Sequence, residues 1–223
     1  MVADKPGTDR PEGAVRTEAV TVLGIDPGSR RMGWAVVERH GEQVRRLASG
    51  VIRQDARLPL VERLGVIHRE SSVLLDTYAP DELAIETAFV RDNVRTALVL
   101  GQARGIPIGL AAARSVAVHE YAPALVKRHV AGSGRATKEQ IRAMVLLLLG
   151  LQEALAEDEA DALAIALTHA RVVRMAPLLA GAGNTAASAL QAAAAQPMTA
   201  TRAWYAALVA GAASGRRGTR RGR

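Results

Sequence analysis

The chain has 223 residues, 49% of them apolar and 3% aromatic, with 29 Lys+Arg against 22 Asp+Glu and no cysteine. That length suffices for a full hydrophobic core, and the lack of thiols excludes disulfide frameworks, thiolate zinc sites and cysteine nucleophiles. The net charge of +7 belongs to the end of the chain, because residues 171–223 hold eight Arg and no acid, whereas residues 1–170 hold 21 Lys+Arg against 22 Asp+Glu.

Residues 1–19 are polar, with two Pro and two Gly and no periodicity, and are expected to be a disordered lead-in. They lack the basic, apolar, small-residue pattern of a signal peptide. The longest apolar run, Ala143 to Leu151, is far short of the roughly 20 residues that cross a bilayer. The expectation is a soluble, cytoplasmic protein with no membrane partner. Val20 to Ile25 is a short β-branched run that empties into the turn Asp26-Pro27-Gly28-Ser29, the pattern of a buried strand. Gly33 to Arg39 and Val44 to Ile52 predict two more strands around a turn at His40-Gly41-Glu42, so the chain opens with an antiparallel meander.

Pro59 opens a helix whose stripe is Leu60, Leu64, Ile67, Leu74 and Tyr78, and Ala79-Pro80-Asp81 stops it. Glu82 to Glu86 is a short strand. Asn93 suits the cap of a helix towards Ala113, interrupted by Gly101, Gly105 and Pro107. Val116 to His119 predicts a fifth strand and Pro123 to Val130 a short helix. A Gly-rich loop, residues 131–136, leads to a helix whose start, Thr137-Lys138-Glu139-Gln140, fits a capping box. The last helix is expected from about Asp158 to Arg174. The order βββ-α-β-α-β-α-α-α describes a mixed five-stranded sheet flanked by helices, an α/β fold. The domain is expected to occupy residues 20–175, and the Ala/Gly/Arg-rich residues 176–223 to form a disordered basic tail.

Four carboxylates fall at strand ends or a helix start, where α/β sheets place their sites. Asp26 ends the first strand and Glu86 the fourth. Asp158 and Asp161 are three apart in the first turn of the last helix and share a face. Each has an ordinary reading: Asp before Pro-Gly forms turns, a strand-end Glu is surface, and acids suit a helix N-terminus. Taken together, three separate segments each deliver an acid from an apolar element. Carboxylates gathered in this way repel one another unless a cation joins them. Hard oxygen ligands suit Mg²⁺ or Mn²⁺, and two such ions support phosphodiester cleavage. The five histidines (40, 68, 119, 129 and 169) are dispersed without metal-ligand spacing, and read as structural or surface residues.

Leu23-Gly24-Ile25-Asp26-Pro27-Gly28-Ser29-Arg30, Ala84-Ile85-Glu86, Leu100-Gly101-Gln102-Ala103-Arg104-Gly105 and Asp158-Glu159-Ala160-Asp161-Ala162-Leu163-Ala164-Ile165-Ala166 resemble the RuvC family of Holliday-junction resolvases. The resemblance spans about residues 20–172. It implies a ribonuclease-H-like fold, a homodimer, and paired, symmetric, metal-dependent nicking of four-way DNA junctions that leaves 5′-phosphate and 3′-hydroxyl ends. It further implies work beside a branch-migration helicase complex in recombination and repair. By position, Asp26, Glu86, Asp158 and Asp161 are the implied catalytic quartet, expected to hold two ions of Mg²⁺ or Mn²⁺. Family members vary at the Asp158 position, and Glu157 and Glu159 are its neighbours, but only Asp158 keeps the three-residue spacing to Asp161.

Phe89, the sole Phe, either stacks on an unpaired base at the junction or anchors its own loop. Arg91 and Arg95 follow it, for phosphates or for solvent. Lys127 and Lys138 match lysines that the family carries near the scissile phosphate, and Lys138 also opens a helix, where free N–H groups favour an anion. The helix around Gly101 to Gly105 belongs to the dimer interface in the family; by its residues alone it equally suits packing on its own sheet. The Arg-rich end adds either salt-sensitive DNA affinity or solubility. Two other readings are a catalytically inactive junction-binding module and a nucleotide-binding protein of the actin, sugar-kinase and chaperone type. The second needs another phosphate loop, which the residues after Ala170 do not supply.

Overall fold

The computed structural model describes residues 19–87 and 94–180, with side chains described as far as Val172. The elements follow the expected order: β1 (Val20–Asp26), β2 (Arg31–His40), β3 (Gln43–Arg53), α1 (Leu60–Tyr78), β4 (Glu82–Glu86), α2 (Val94–Ala113), β5 (Ala117–Tyr121), α3 (Pro123–Ala131), α4 (Lys138–Leu149) and α5 (Glu157–Ala180). They build one five-stranded sheet in the order β3-β2-β1-β4-β5. The first three strands pair antiparallel as a meander, while β4 joins β1 and β5 joins β4 in parallel. Parallel neighbours need long crossovers, and α1 and α2 supply them.

Strand alternation divides the core. Val20, Val22, Val37, Ala84 and Tyr121 face α3, α4 and α5, where they meet Val126, Ile141, Leu163 and Leu167. Leu23, Ile25, Val36, Leu83 and Ile85 face α1 and α2, where they meet Ile67, Leu75 and Ala103. Each large apolar side chain buried in this way contributes roughly 1.5–3 kcal/mol.

Helix α5 runs through the first of these layers. From Ala162 to Ala170 its side chains are all buried, so it has no solvent face over that span. Two glycines let it lie directly on the strands. A Cβ on Gly24 of β1 would stand 2.5 Å from the Ala162 carbonyl oxygen and 2.7 Å from the Ala166 Cβ. A Cβ on Gly33 of β2 would stand 1.8 Å from the Asp158 carbonyl oxygen. Asp26 and Gly33 are partners across β1 and β2, so this contact lies beside the end of β1.

Several boundaries differ from the sequence expectation. Helix α2 is continuous through Gly101, Gly105 and Pro107. The helical cost of these residues is offset by packing on α1, with Ala103 and Ala111 wholly buried. Strand β5 starts one residue later and extends to Tyr121, because Glu86 and Tyr121 still pair across β4 and β5. Helix α5 continues to Ala180, beyond the expected domain edge near residue 175. The capping box is present: the Gln140 N–H donates to Thr137 Oγ1 at 3.3 Å and the Thr137 N–H to Gln140 Oε1 at 2.9 Å. The N-terminal lead-in expected over residues 1–19 lies almost wholly outside the described residues, and the tail after Ala180 does so entirely.

Gly24→Ala is expected to force α5 away from β1. Overpacking of this kind costs typically 1–3 kcal/mol. Urea unfolding followed by circular dichroism checks it, with the midpoint falling and the slope unchanged.

Candidate active site

Asp26 and Glu86 are the last residues of the adjacent parallel strands β1 and β4. Strand alternation turns both towards α5, on the same side as Val22 and Ala84. The loop after Asp26 is pinned from two directions: Arg63 of α1 donates to the Ser29 carbonyl at 2.8 Å, and the Gln54 N–H to the Arg30 carbonyl at 3.0 Å. Gly28 is required there, since a Cβ would stand 1.8 Å from the Arg31 carbonyl oxygen. The end of β4 is held by Arg104 of α2, which donates to the Glu86 carbonyl at 3.0 Å and pairs with Glu120 at 2.5 Å.

Asp158 and Asp161 come from the first turns of α5, where the helix dipole favours acids. Arg31 Nε stands 3.3 Å from Asp158 Oδ2, and Lys138 Nζ stands 3.6 Å from Asp161 Oδ2. Lys138 also pairs with Glu157. A small pocket beside these groups is lined by Lys138, Glu139, Arg142, Glu157, Ala160 and Asp161.

The charges are coupled across the three elements. Asp26 is pushed up to about 8, first by burial and then by the charges of Glu86, Asp161 and Asp158, with Lys138 pulling it back. Glu86 is pushed up to about 7 by burial and by Asp161, against the pull of Lys138 and Lys127. Asp161 is raised by burial, with Lys138 opposing. Lys138 is itself raised, chiefly by its hydrogen bond to Glu157. Half-buried acids that repel one another, with lysines beside them, make a site that attracts a cation and, next to it, an anionic substrate.

The four acids named from the sequence therefore meet in one electrostatic cluster, with Lys138 and Lys127 beside it. Phe89 and Arg91 lie outside the described residues. The two glutamates flanking Asp158 are engaged elsewhere. Glu159 accepts from Ser49 Oγ at 2.6 Å and from the Ala156 N–H at 3.3 Å, and Glu157 holds Lys138. Sequence reasoning missed Arg31 and Arg104; the basic residue after the Ser29-Arg30 turn and the Gln-Ala-Arg of α2 were the available signals. Two of the histidines, dispersed in sequence, come together in space. His119 and His169 are 50 positions apart, yet they converge with Glu82, their ligand atoms lying within 4.8 Å of one another. Chain spacing cannot reveal a meeting made between a strand and a helix.

Comparison with known proteins shows the family of the chain. Residues 22–169 match the family model described as Crossover junction endodeoxyribonuclease RuvC. The protein of that name from Azorhizobium caulinodans is 46% identical over 151 residues, covering 68% of this chain and 89% of the relative. Its counterpart from Rhodopseudomonas palustris is 46% identical over 153 residues, 69% of this chain and 88% of the relative. Among solved structures, Thermus thermophilus RuvC in complex with Holliday junction substrate superposes with a TM-score of 0.67 at 38% identity, covering 71% of this chain and 97% of that one. The yeast mitochondrial resolvase Ydc2, at 14% identity and a TM-score of 0.53 over 72% of this chain and 82% of that one, shares the fold.

The raised carboxyls set a pH dependence. In chelator-treated protein the folded state keeps protons on Asp26 up to about pH 8 and on Glu86 up to about pH 7, while their ordinary values are 3.8 and 4.5. The folded state thus binds more protons than the unfolded one, and these two groups lose their contribution to stability as pH rises through that window. Asp26→Asn removes the larger part. Its melting temperature relative to the parent is expected to climb between pH 5 and 8.5, and a flat difference would contradict the coupling.

Proposed function

The chain belongs to the RuvC family of crossover junction endodeoxyribonucleases, and we propose from that premise how its own residues carry out junction cleavage. The protein is a metal-dependent Holliday-junction resolvase on a ribonuclease-H-like fold, a mixed five-stranded sheet flanked by helices. The observation that carries the residue assignment is the convergence of acids from β1, β4 and α5: beyond burial, Glu86, Asp161 and Asp158 raise Asp26, and Asp161 raises Glu86.

In this reading Asp26, Glu86, Asp158 and Asp161 hold divalent cations. The donor set fits: it is all oxygen, and Asp26, Glu86 and Asp161 are raised by burial and by neighbouring negative charge, which a cation such as Mg²⁺ or Mn²⁺ relieves. A pair of such ions supplies an activated water and charge stabilisation at the leaving oxygen. The chain's residues do the rest. Lys138, 3.6 Å from Asp161 and at the first turn of α4, offers its ammonium group to the scissile phosphate, where negative charge grows in the transition state. Lys127 on α3, which lowers the Glu86 carboxyl, holds a neighbouring phosphate. Arg31 orients Asp158 through its 3.3 Å contact. Phe89 stacks on an unpaired base and Arg91 meets the backbone, as the family resemblance implies. The Arg-rich end adds electrostatic affinity for DNA.

A four-way junction presents two equivalent strands, so two sites related by a two-fold axis give paired, symmetric nicks with 5′-phosphate and 3′-hydroxyl ends. Helix α2 is the face for that dimer. Val94 and Leu98 are 69% and 51% exposed, and a Cβ on Gly101, Gly105 or Gly109 would meet nothing within 4 Å. These glycines, spaced by four, form a smooth stripe that allows close approach of a second helix. α2 is also long and apolar enough by composition to cross a membrane; a dimer partner covers such a helix equally well. The resolvase acts in the cytoplasm, beside a branch-migration helicase complex.

Nicking of a labelled four-way junction tests the site. Asp26→Asn is expected to bind the junction but to lose several kcal/mol of transition-state stabilisation, at least about 100-fold in rate. Lys138→Ala is expected to slow cleavage by about 10²–10³-fold with binding little changed. Unimpaired nicking by Asp26→Asn would overturn the assignment. Gly105→Leu tests the dimer face: the single chain has room for the side chain, so its circular dichroism spectrum is expected to be unchanged while sedimentation shifts from dimer towards monomer.

A further inference from the structure

The opposite end of β4 carries a second group of ligand-type side chains. Glu82 opens the strand whose last residue is Glu86, and four strand steps separate the two by about 13 Å. His119 sits at the centre of β5, in register with Ala84 and therefore diagonal to Glu82 on the same face. His169 reaches that face from α5, eight residues and about 12 Å beyond Asp161.

The three side chains are ordered with respect to one another. His169 is wholly buried and its Nε2 meets Glu82 Oε2. Its other ring nitrogen, Nδ1, is bonded to the Tyr121 hydroxyl at 2.6 Å, and Tyr121 is 1% exposed. His119 Nε2 lies 3.7 Å from the same Glu82 Oε2, beyond hydrogen-bond length, with the two imidazole centroids 4.4 Å apart. One ligand atom from each residue lies within 4.8 Å of the other two.

Two ring nitrogens thus converge on one carboxylate oxygen, and a direct hydrogen bond serves only one of them. A divalent cation would accept a lone pair from each of the three. The Tyr121 bond supplies what metal-bound histidines regularly show, a partner on the outer nitrogen that fixes the ring and aims Nε2 inward. The side chain of His119 is 36% exposed, which leaves an entry path and room for water as a fourth ligand.

We propose that Glu82, His119 and His169 form a second metal site that takes a borderline transition ion such as Zn²⁺ through two imidazole nitrogens and one carboxylate oxygen. The ion fastens the edge strand β5 to β4 and to the far end of α5. The donor set separates this site from the acids at the other end of the sheet: imidazole selects zinc-type ions, whereas Mg²⁺ prefers oxygen.

The test is zinc content of the full-length protein after dialysis against micromolar Zn²⁺ with millimolar Mg²⁺ present. One Zn²⁺ per chain is expected for the parent and for Asp26→Asn, and none above background for His119→Phe and Glu82→Gln. Zinc is expected to raise the melting temperature of the first two proteins only. X-ray absorption on the zinc-loaded parent, which needs no variant to fold, is expected to show two imidazole ligands. Equal zinc in His119→Phe, loss of zinc in Asp26→Asn instead, or an absorption spectrum without imidazole would each overturn the proposal.

Discussion

The structure depends on the direct seating of α5 on β1 and β2. Gly24 and Gly33 remove the side chains that would hold the helix off, and the Ala162 and Asp158 carbonyls occupy the space where those Cβ atoms would stand. Close helix-to-strand contact of this kind is what a glycine in a strand interior permits. The consequence is geometric: α5 presents its first turns at the level where β1 and β4 end. A helix held off by ordinary side chains would leave the α5 acids farther from Asp26 and Glu86, and the coupling among them would weaken.

Gathering four acids has an electrostatic cost that the rest of the fold must carry. Asp26 and Glu86 rise to about 8 and about 7 because burial and mutual repulsion disfavour their charged forms. The two core layers, one on each side of the sheet, supply the packing that keeps the strand ends in place regardless. Arg104 and Arg63 hold the chain just beyond the strands through backbone carbonyls, leaving the carboxylates themselves to ligands and to one another. The strand ends thus gather acids at the expense of stability, a trade-off common at functional sites.

The same strand and helix carry chemistry at both ends. Glu86 and Asp161 mark one end of the α5–β4 layer, Glu82 and His169 the other. Between them α5 is packed with small residues, Ala162, Ala164 and Ala166, which are buried against the sheet and the helices α3 and α4. This packed stretch separates the two groups, and neither shares a side chain with the other.

Much of this was legible in the residues themselves. Val20 to Ile25 is a short β-branched run that empties into Asp26-Pro27-Gly28-Ser29, and that alone determined β1 and the place of Asp26 at its tip. The three-residue spacing of Asp158 and Asp161 placed them on one helical face, and Thr137 with Gln140 defined the start of α4. Local periodicity and caps are short-range physics, so sequence carries them. Sequence did not anticipate the continuity of α2 through Pro107, because packing on α1 outweighs a local propensity that reads as a break. Nor did it anticipate that His119 and His169 meet, or that Arg31 rests on Asp158. Those contacts join residues 50 and 127 positions apart, and only the parallel register of β4 with β5 and the seating of α5 decide them. The sequence by itself determined which residues carry charge and which element each one ends. The tertiary structure alone decided which charges face one another, because that is set by the packing of whole elements and not by the spacing along any of them.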